Sequence, residues 1–338
     1  MKLRVAIAGF GSVGQRRYFF LKKKKFFNVV AISDQYIQYR KKFKHGKVYN
    51  DYQKMLKEEQ IDVLFVCLPN KDSAKATIIG LNKKCHVFCE KPPSRNLKEL
   101  KKVYERYKKT KNLILRYGFN HRYHESVQYA KEIIDSKKLG EIINLRGVYG
   151  KSYLTIKLKA SARINHDFNW RTRKKDSGGG ILLDQGIHLI DLMNLFVGRF
   201  VEAKSYVSKD YWKKDVEDNV YTILKNRKKI YATLHSSATL WKHNFSLDIT
   251  LEKGMINLSG ILSGTKSYGE ERIKIIKRTK NPLKPTETNK LYSNDLSWDK
   301  EINNFITLIK TKPKKYQGGI LEALETMRII KMIYSSSN

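Results

Sequence analysis

The sequence predicts two domains: an α/β domain with a doubly wound parallel sheet, and then an α+β domain with an open, mostly antiparallel sheet. Three observations support this fold class. The chain opens with an apolar run that ends in a glycine-rich turn at residues 9–14. Apolar runs then alternate with helical patterns as far as residue 119, and strands with period-two patterning dominate after residue 200. At 338 residues the chain is long enough for two cores, and we place the domains at 1–119 and 120–338.

The first domain is predicted to alternate strands with helices, because the strands of a buried parallel sheet read as continuous apolar runs. The predicted strands are residues 3–8, 29–33, 63–67, 86–89 and 113–117. Apolar residues at helical spacing predict helices after the glycine turn and near residues 51–59, 73–82 and 97–107.

The second domain is predicted to begin with a helix near residues 127–134, stopped by Gly140, and a strand over 142–149. A helix over 178–196 follows. Period-two patterning then predicts strands over 203–207, 220–224, 230–236, 245–251 and 255–258, the last two joined by a turn at Lys253-Gly254. A closing helix is carried by Leu321, Leu324, Met327 and Ile330.

The first glycine turn has the form of a dinucleotide-binding motif. Gly9, Gly11 and Gly14 follow a strand directly and open a helix that starts with Ser12 and Val13. In this motif the first glycine makes the turn, the second lets the backbone approach a pyrophosphate, and the third allows the helix to pack closely on the strand. The N–H groups and the positive dipole end of the helix then receive the phosphates.

Asp34 ends the second predicted strand, where such folds place an acid that accepts hydrogen bonds from the adenosine ribose. Gln35 and Tyr36 follow it, with no adjacent arginine to bind a 2′-phosphate. The sequence therefore favours NAD over NADP as the cofactor. The alternative is that Asp34 is an ordinary turn residue after a strand.

Residues 178–191, with the sequence GGGILLDQGIHLID, contain a second candidate site. Asp184 and His188 are four residues apart, so a helix places both side chains on one face. A separate apolar stripe would let this helix bury one side and present the pair to a cleft; it comprises Leu189, Leu192, Met193 and Phe196. A carboxylate beside an imidazole is typical of a proton-transfer group at neutral pH. The alternative is a helix-capping Asp184 and a core His188.

Lys91 stands in the segment Glu90-Lys91-Pro92-Pro93, directly after the fourth predicted strand. Ligands of doubly wound sheets bind beyond the carboxyl ends of the strands, so Lys91 lies at the edge where it can reach a substrate beside a nicotinamide. The two prolines fix the local backbone and help to aim the lysine. In a chain so rich in lysine, a solvated side chain is the alternative.

Together these three motifs resemble those of the glucose–fructose oxidoreductase/inositol dehydrogenase/rhizopine catabolism family (Gfo/Idh/MocA). The resemblance covers essentially the whole chain and extends to Pro69-Asn70, residues 118–123, Trp170-Arg171 and the closing helix from Gly318. It implies a Rossmann domain and then a domain whose open sheet often forms the subunit contact, and hence a homodimer or homotetramer. One departure concerns cofactor affinity: Ser73 stands where the family often has a histidine.

The resemblance also implies roles for individual residues. His188 would be the general base on a secondary hydroxyl while a hydride leaves to NAD⁺, Asp184 would orient the hydroxyl and His188, and Lys91 would hold the same oxygen. The implied cofactor contacts are Gly9, Gly11, Ser12, Val13, Gly14, Asp34, Pro69, Asn70, Glu90, Lys91, Trp170 and Arg171. The implied substrate contacts are Lys91, Asn120, Arg122, Asp184 and His188.

The charge is unusual, with 68 Lys plus Arg against 32 Asp plus Glu and a net charge of +36. The lysines are spread from residues 22–25 to 312–315, without a nucleic-acid-binding motif, so we expect no specific nucleic-acid partner. No run approaches the roughly 18 apolar residues of a membrane span, so we expect no membrane association. Cys67, Cys85 and Cys89 lack zinc or disulfide spacing, which predicts buried thiols, no metal site and a cytoplasmic protein.

The leading functional hypothesis is an NAD-dependent dehydrogenase acting on a secondary hydroxyl of a sugar, a sugar nucleotide or uronate, or a cyclitol. The charge and the basic residues Lys157, Lys159 and Arg163 favour an anionic sugar derivative. The alternative is a non-catalytic NAD-binding regulator on the same scaffold. The presence of Lys91, Asp184 and His188 together argues against a regulator, which has no chemical need for all three.

Overall fold

A computed structural model describes residues 2–154 and 168–337, and these residues form two compact units. The first unit comprises Met1–Phe119 and Trp298–Leu324; the second comprises Asn120–Ser297 and Glu325–Asn338. The predicted boundary after residue 119 therefore coincides with an observed one. The prediction that residues 120–338 form one domain is wrong, because residues 298–324 return to the first unit.

The first unit contains a six-stranded sheet in the order β3-β2-β1-β4-β5-β6, and its neighbouring strands are parallel. The strands are β1 (Leu3–Ala8), β2 (Phe27–Ser33), β3 (Lys47–Tyr49), β4 (Val63–Val66), β5 (His86–Glu90) and β6 (Leu115–Gly118). The helices among them are α1 (Ser12–Leu21), α2 (Ile37–Arg40), α3 (Tyr52–Glu58), α4 (Asn70–Asn82) and α5 (Leu97–Lys108). The predicted parallel sheet is confirmed; β3 and α2 were not predicted.

An unpredicted helix, α9 (Ser297–Thr311), explains why the chain returns to the first unit. Its apolar side chains Ile302 and Phe305 are fully buried in the same core as the sheet residues Phe65 and Phe88. The Phe305 ring lies edge-on to both phenylalanines, with centroid distances of 5.8 and 5.4 Å. Burial of this apolar face drives the return.

The second unit is built on an eight-stranded sheet in the order β14-β13-β12-β11-β7-β10-β9-β8. Strands β7 and β10 are parallel, and the other neighbours are antiparallel, as predicted. The strands are β7 (Ile142–Gly150), β8 (Phe200–Ser208), β9 (Asn219–Asn226), β10 (Tyr231–Ser237), β11 (Asn244–Leu251), β12 (Gly254–Ser259), β13 (Glu271–Lys277) and β14 (Thr286–Tyr292). Strands β13 and β14 were not predicted. Leu251 pairs with Gly254, so Glu252-Lys253 forms the predicted turn one residue early.

The helical elements of the second unit include α6 (Glu125–Asp135), α7 (Lys174–Ser177), α8 (Ile187–Val197) and short 3₁₀ turns at Asn120–Tyr123 and Phe168–Thr172. Helix α10 (Ile320–Ser335) closes the chain as predicted and contributes to both units. Helix α6 ends five residues before Gly140, which therefore lies in the following loop.

The predicted continuous helix over residues 178–196 is wrong in two respects. The chain bends through residues 178–180, and a π-helical turn at Leu182–Gly186 precedes α8. Helix α8 is also not amphipathic, because every residue from Ile187 to Met193 is buried. His188 is therefore almost fully buried rather than placed on an open helix face.

One helical stretch of the described residues, Lys174–Val197, is long and apolar enough to cross a membrane by length and composition alone. Within its most apolar window, 67% is buried inside the protein. This burial is what a core helix of a globular domain shows, and the stretch contains α7, the π-helical turn and α8.

Candidate functional site

The glycine turn of the first unit combines two tightly packed glycines with one open one. A Cβ atom added to Gly9, whose φ is +88°, would lie 2.4 Å from the Cys67 carbonyl oxygen. A Cβ on Gly14 would lie 2.1 Å from the Gly9 carbonyl oxygen, whereas a Cβ on Gly11 would meet nothing within 4 Å. Gly9 and Gly14 are therefore required by the protein's own packing, and Gly11 keeps its backbone accessible from outside.

Helix α1 begins beside this open position. Gly11 precedes it without a side-chain cap, Ser12 and Val13 are its first residues, and no acidic residue stands in its first turn. The N–H groups of an uncapped first turn and the positive end of the helix dipole favour a bound anion. The residues present thus fit the pyrophosphate of a dinucleotide.

Asp34 is attached to the same turn. Its Oδ2 atom accepts a hydrogen bond from the Phe10 N–H at 2.7 Å, and Oδ1 accepts one from the Tyr36 N–H at 2.9 Å. Burial raises the pKa of Asp34, while these amides and the charge of Arg40 oppose the rise. Although no arginine is adjacent in sequence, Arg40 therefore lies within electrostatic range of the predicted ribose-binding carboxylate.

The predicted contacts that follow β4 lie at the start of helix α4. Pro69 precedes this helix, and Asn70 is its buried first residue. Ser73, which stands where a histidine was expected, is also buried and donates a hydrogen bond to the Pro69 carbonyl at 3.3 Å. The Ser73 side chain thus helps to hold the first turn of α4 by bonding to the backbone of Pro69.

Glu90, predicted as a cofactor contact, is part of a buried ion-pair network. The Arg17 Nε atom donates to Glu90 Oε1 at 2.5 Å, and Arg17 Nη2 donates to Glu301 Oε2 at 2.7 Å. The guanidinium lies between the rings of Phe88 and Trp298, at 4.4 and 4.2 Å from their centroids. Glu90 therefore connects β5 to α1 and α9 within the first unit.

Lys91 follows β5 directly, at the carboxyl end of the strand, as predicted. The Lys91–Pro92 peptide bond is cis. Lys91 belongs to the first unit, whereas Asp184 and His188 belong to the second.

In the second unit, the glycines before Asp184 are tightly packed. Gly178 ends α7 with a φ of +85°. A Cβ on Gly179 would lie 2.2 Å from the Tyr334 hydroxyl, and a Cβ on Gly180 would lie 2.1 Å from the Glu217 carbonyl oxygen. The buried Glu217 carboxylate accepts hydrogen bonds from the Gly180 N–H at 2.8 Å, the Leu182 N–H at 3.1 Å and the Tyr334 hydroxyl at 2.8 Å. These contacts set where the π-helical turn begins.

Asp184 lies in the π-helical turn and pairs with a lysine that sequence reasoning missed. The Lys151 Nζ atom donates to Asp184 Oδ2 at 2.6 Å, and the Lys151 side chain is largely buried. Lys151 follows strand β7 directly. The sequence could have indicated Lys151 by its position at the end of a strand, but it could not have identified Asp184 as the partner of Lys151.

His188 is only 4% exposed and stacks on a second histidine. The rings of His121 and His188 have centroids 3.7 Å apart and an interplanar angle of 16°. His121 Nε2 lies 3.1 Å from the Tyr149 hydroxyl. His121 and Tyr149 were not predicted as site residues, and no local pattern indicates contacts so distant in sequence.

Three tyrosines lie in the electrostatic neighbourhood of Asp184. Burial, together with the charge of Asp184, raises the pKa values of Tyr149, Tyr153 and Tyr268. Their hydroxyl groups therefore stay protonated at neutral pH and can donate hydrogen bonds. The Lys151 Nζ atom lies 5.3 Å from the Tyr153 ring. This neighbourhood combines charged groups with hydroxyl donors, and the Tyr149 ring lies 6.3 Å from that of His188.

Two predicted substrate contacts face other protein groups. The Asn120 Nδ2 atom donates to the Ser297 hydroxyl at 3.0 Å. The buried Arg122 guanidinium forms a bidentate ion pair with Asp191 on α8, with both distances 2.6 Å. The structure thus shows both residues supporting the second unit's core.

Trp170 and Arg171, predicted as cofactor contacts, lie next to each other in a 3₁₀ turn, and the Arg171 guanidinium is 4.4 Å from the Trp170 ring centroid. The basic residues Lys157, Lys159 and Arg163 lie outside the described residues. Within the described ranges, no group of three or more His, Cys, Asp and Glu side chains is arranged to hold a metal ion.

Cys67, Cys85 and Cys89 are free thiols; the predicted burial is confirmed for Cys85 and Cys89, whereas Cys67 is only partly buried. Burial raises the pKa values of the Cys85 and Cys89 thiols to about 12. These thiols are protonated and unreactive at neutral pH.

Sequence relatives include sugar and cyclitol dehydrogenases. The chain is 30% identical over 159 residues to levoglucosan dehydrogenase of Pseudarthrobacter phenanthrenivorans, covering 47% of this chain and 39% of that protein. It is 28% identical over 277 residues to D-glucoside 3-dehydrogenase of Escherichia coli, covering 76% and 74%. It is also 28% identical over 204 residues to myo-inositol 2-dehydrogenase of Thermotoga maritima, covering 59% and 56%. The matched region thus spans less than two thirds of two of these three relatives.

Solved structures share the fold. Levoglucosan dehydrogenase in complex with NADH and levoglucosan has a TM-score of 0.84 and 19% identity, covering 100% of this chain and 97% of that one. A putative NADPH-dependent oxidoreductase from Desulfitobacterium hafniense has a TM-score of 0.86 and 17% identity, covering 100% and 96%.

Family models match both parts of the chain. The model described as the oxidoreductase family, NAD-binding Rossmann fold, matches residues 3–119. The model for the GFO/IDH/MocA C-terminal domain matches residues 127–257. With its parallel glycine-turn unit and its mostly antiparallel second unit, the chain belongs to the Gfo/Idh/MocA family of oxidoreductases.

Proposed function

We propose that this protein is an NAD-dependent oxidoreductase that oxidises, or reversibly reduces, a secondary hydroxyl of a small carbohydrate-like substrate. The observation that carries the proposal is the glycine turn of the first unit, where Gly11 alone among the three motif glycines opens onto free space. Backbone exposed at that point, before an uncapped helix, suits a pyrophosphate. The sugar and cyclitol dehydrogenases among the relatives support the substrate class.

The proposed chemistry divides between the cofactor and the protein. NAD, when bound, supplies the hydride acceptor. His188 takes the proton of the substrate hydroxyl as general base, and Lys91 supplies a cation that favours negative charge on the oxygen. Because the Asp184 carboxylate pairs with Lys151 at 2.6 Å, we assign Asp184 the role of orienting the hydroxyl rather than that of accepting its proton.

We propose NAD rather than NADP because Asp34 directly follows β2, the position at which this fold carries an acid that accepts hydrogen bonds from the adenosine ribose. Two observations call for a measurement of the cofactor preference. The charge of Arg40 acts on Asp34, and one structural relative is named for NADPH. Titration of protein fluorescence with NADH and with NADPH gives the ratio of dissociation constants. A lower dissociation constant for NADPH would contradict this part of the proposal.

The substrate is expected among free sugars, cyclitols, uronates and sugar nucleotides. The test measures NADH formation with NAD⁺ and a panel of these four classes, for the wild type and for His188→Ala and Lys91→Ala. Matched controls are His45→Ala and Lys98→Ala, which change exposed side chains of the same types. Turnover that is lost in the first two variants and kept in the controls supports the proposal. Cofactor binding without turnover of any class would contradict it and favour a regulatory protein.

We also propose a homodimer or homotetramer formed through the open face of the eight-stranded sheet. Large apolar and aromatic side chains are exposed on strands β8, β9 and β10, namely Tyr206, Tyr221, Ile223 and Tyr231. Tyr206 is 80% exposed, and exposed patches of this kind mark interaction surfaces. Light scattering during size exclusion measures the mass, and a 39.5 kDa monomer at micromolar concentration would contradict the proposal.

We further propose a cytoplasmic location, which the three free cysteines support because reduced thiols are typical of that compartment. Fractionation of the source cells, with detection by antibody, tests it. Recovery of the protein outside the cytoplasmic fraction would contradict it.

A further inference from the structure

The base proposed above is held by an unusual contact within the second unit. His121 and His188 are 6% and 4% exposed, and their rings stack nearly parallel with centroids 3.7 Å apart. At this separation the two rings are in van der Waals contact over their faces. The orientation of the His188 ring therefore depends on the orientation of the His121 ring.

The His121 ring is itself fixed at both nitrogens. Nδ1 lies 3.3 Å from Asn120 Oδ1, and Nε2 lies 3.1 Å from the Tyr149 hydroxyl. The Asn120 amide is oriented in turn, because its Nδ2 donates to the Ser297 hydroxyl at 3.0 Å and that hydroxyl donates to Asp295 Oδ1 at 2.6 Å. Asn120 Oδ1 must then accept, so the His121 ring carries a hydrogen on Nδ1, and its Nε2 is paired with the Tyr149 hydroxyl.

Arg122, the residue after His121, anchors helix α8 about one turn beyond His188. Arg122 forms its bidentate ion pair with Asp191, three residues after His188 on α8. Two consecutive residues of the turn at 120–123 thus hold the backbone of α8 and the ring of His188. Fixing both is what a general base requires, because proton transfer depends on the direction of the accepting nitrogen.

We infer that His121 is a positioning residue for His188: the His121 ring, held by Asn120 and Tyr149, sets the plane of the His188 imidazole. This inference rests on the proposed function, in which His188 is the base. His121 acts through ring contact, so replacement by another flat ring preserves the effect better than replacement by a flexible polar side chain. It assigns residues 120–122 to support of the base rather than to substrate binding.

The experiment compares His121→Phe, which keeps a ring but loses the hydrogen bonds, with His121→Gln, which keeps polar atoms but loses the ring. We expect the Gln variant to lower kcat about 10–100-fold, because a small misplacement of a catalytic group has an effect of this size. KM should stay within about threefold, since the substrate contacts are unchanged. The Phe variant should retain more of kcat than the Gln variant, even if its melting temperature is lower.

A second readout does not depend on turnover. The protein is labelled with ¹³C at its 8 histidines, and the ring resonance that disappears in His188→Gln is assigned to His188. Stacking on His121 shifts this resonance upfield, so it should move downfield in His121→Gln and less in His121→Phe. The control His45→Gln, at an exposed histidine, should change neither kcat nor the His188 resonance.

Each outcome decides the inference. An unchanged His188 resonance in His121→Gln overturns it, and so does unchanged kcat in a variant whose resonance has moved. A Gln variant more active than the Phe variant also overturns it, because the hydrogen bonds would then matter and the ring would not. If the wild type turns over no substrate, the proposed function fails and this inference fails with it, whereas an active wild type with unaffected His121 variants refutes the inference alone.

Discussion

The chain contains two glycine-rich segments that look alike in sequence and differ in physical purpose. In the first unit, a Cβ atom added to Gly11 would have no protein atom within 4 Å. In the second unit, Gly179 and Gly180 have no such space, because Tyr334 and the Glu217 backbone lie at 2.2 and 2.1 Å from the added atom. A glycine facing open space leaves room for a ligand, whereas a glycine facing packed atoms leaves room only for the protein itself.

This difference shows where each segment acts. In the first segment Gly9 and Gly14 serve the protein's own packing, and only the open backbone at Gly11 has the proposed role in binding. The second lets the chain pass close to Glu217, which precedes β9, and to Tyr334 on α10 before the π-helical turn, so its glycines serve the placement of Asp184 and His188. The first three predictions below test the contrast and the fourth tests a titrating group of the first unit, from the largest expected effect to the smallest.

Gly180→Ala should lower the stability of the second unit by about 3 kcal/mol, because its Cβ would overlap the Glu217 carbonyl and the backbone would have to move. Urea unfolding measures the loss. The control is Gly11→Ala, whose Cβ would meet no protein atom within 4 Å. Gly198 also has open space, but its φ of +75° would strain an alanine. Equal stabilities of the two variants would remove the contrast.

Glu217→Gln should lower stability by about 2 kcal/mol, because Glu217 accepts from two backbone N–H groups and the Tyr334 hydroxyl, and an amide offers only one acceptor oxygen. Tyr334→Phe removes only one of these donors and should cost about 1 kcal/mol. Urea unfolding of both variants checks the order. A larger loss from Tyr334→Phe would show that Glu217 is not the anchor of the glycine segment.

Gly11→Ala should leave the melting temperature unchanged or slightly raised, because Gly11 has a φ of −64° that alanine adopts readily and its Cβ meets no protein atom. The same methyl group should weaken NADH binding by about tenfold, or about 1.4 kcal/mol, by holding the pyrophosphate away from the backbone. Fluorescence titration measures binding and a thermal melt measures stability. Unchanged NADH affinity would contradict the assigned role of the open glycine.

The first unit should lose stability in mild acid through His86. Its Nδ1 accepts a hydrogen bond from the Ile114 N–H at 3.0 Å, and burial together with the Lys312 charge lowers its pKa from 6.5 to about 4. The lowered folded pKa means that the stabilising contribution is complete above pH 6.5 and is lost progressively as the pH falls towards 4. His86→Asn, which keeps an acceptor but does not titrate there, should unfold with a flatter pH dependence. Parallel pH profiles for the two proteins would refute this assignment.

The two regions also differ in how far the sequence predicted them. The dinucleotide motif is local: its glycines, the strand before it and Asp34 all follow from spacing, and the parallel sheet was predicted with ends accurate to one or two residues. The second region depends on contacts between residues distant in sequence. Lys151 reaches Asp184 and His121 stacks on His188, and no periodicity within either segment encodes such pairings.

Two errors have specific physical causes. The predicted single helix over 178–196 assumed regular spacing, but glycines packed against Glu217 and Tyr334 and a π-helical turn interrupt it. The missed helix α9 is amphipathic, yet its membership of the first unit depends on the core formed by Phe65 and Phe88 far earlier in the chain. Local pattern predicts that an element exists, but not which core buries it.

Helix α9 also determines how this protein can be divided. Since residues 298–324 complete the first unit and residues 325–338 return to the second, the two units alternate along the chain rather than following one another. A fragment ending at residue 119 would expose the phenylalanine faces that Phe305 covers. A nucleotide-binding fragment that folds alone therefore has to be assembled from two separate stretches of sequence, with residue 119 linked to residue 298.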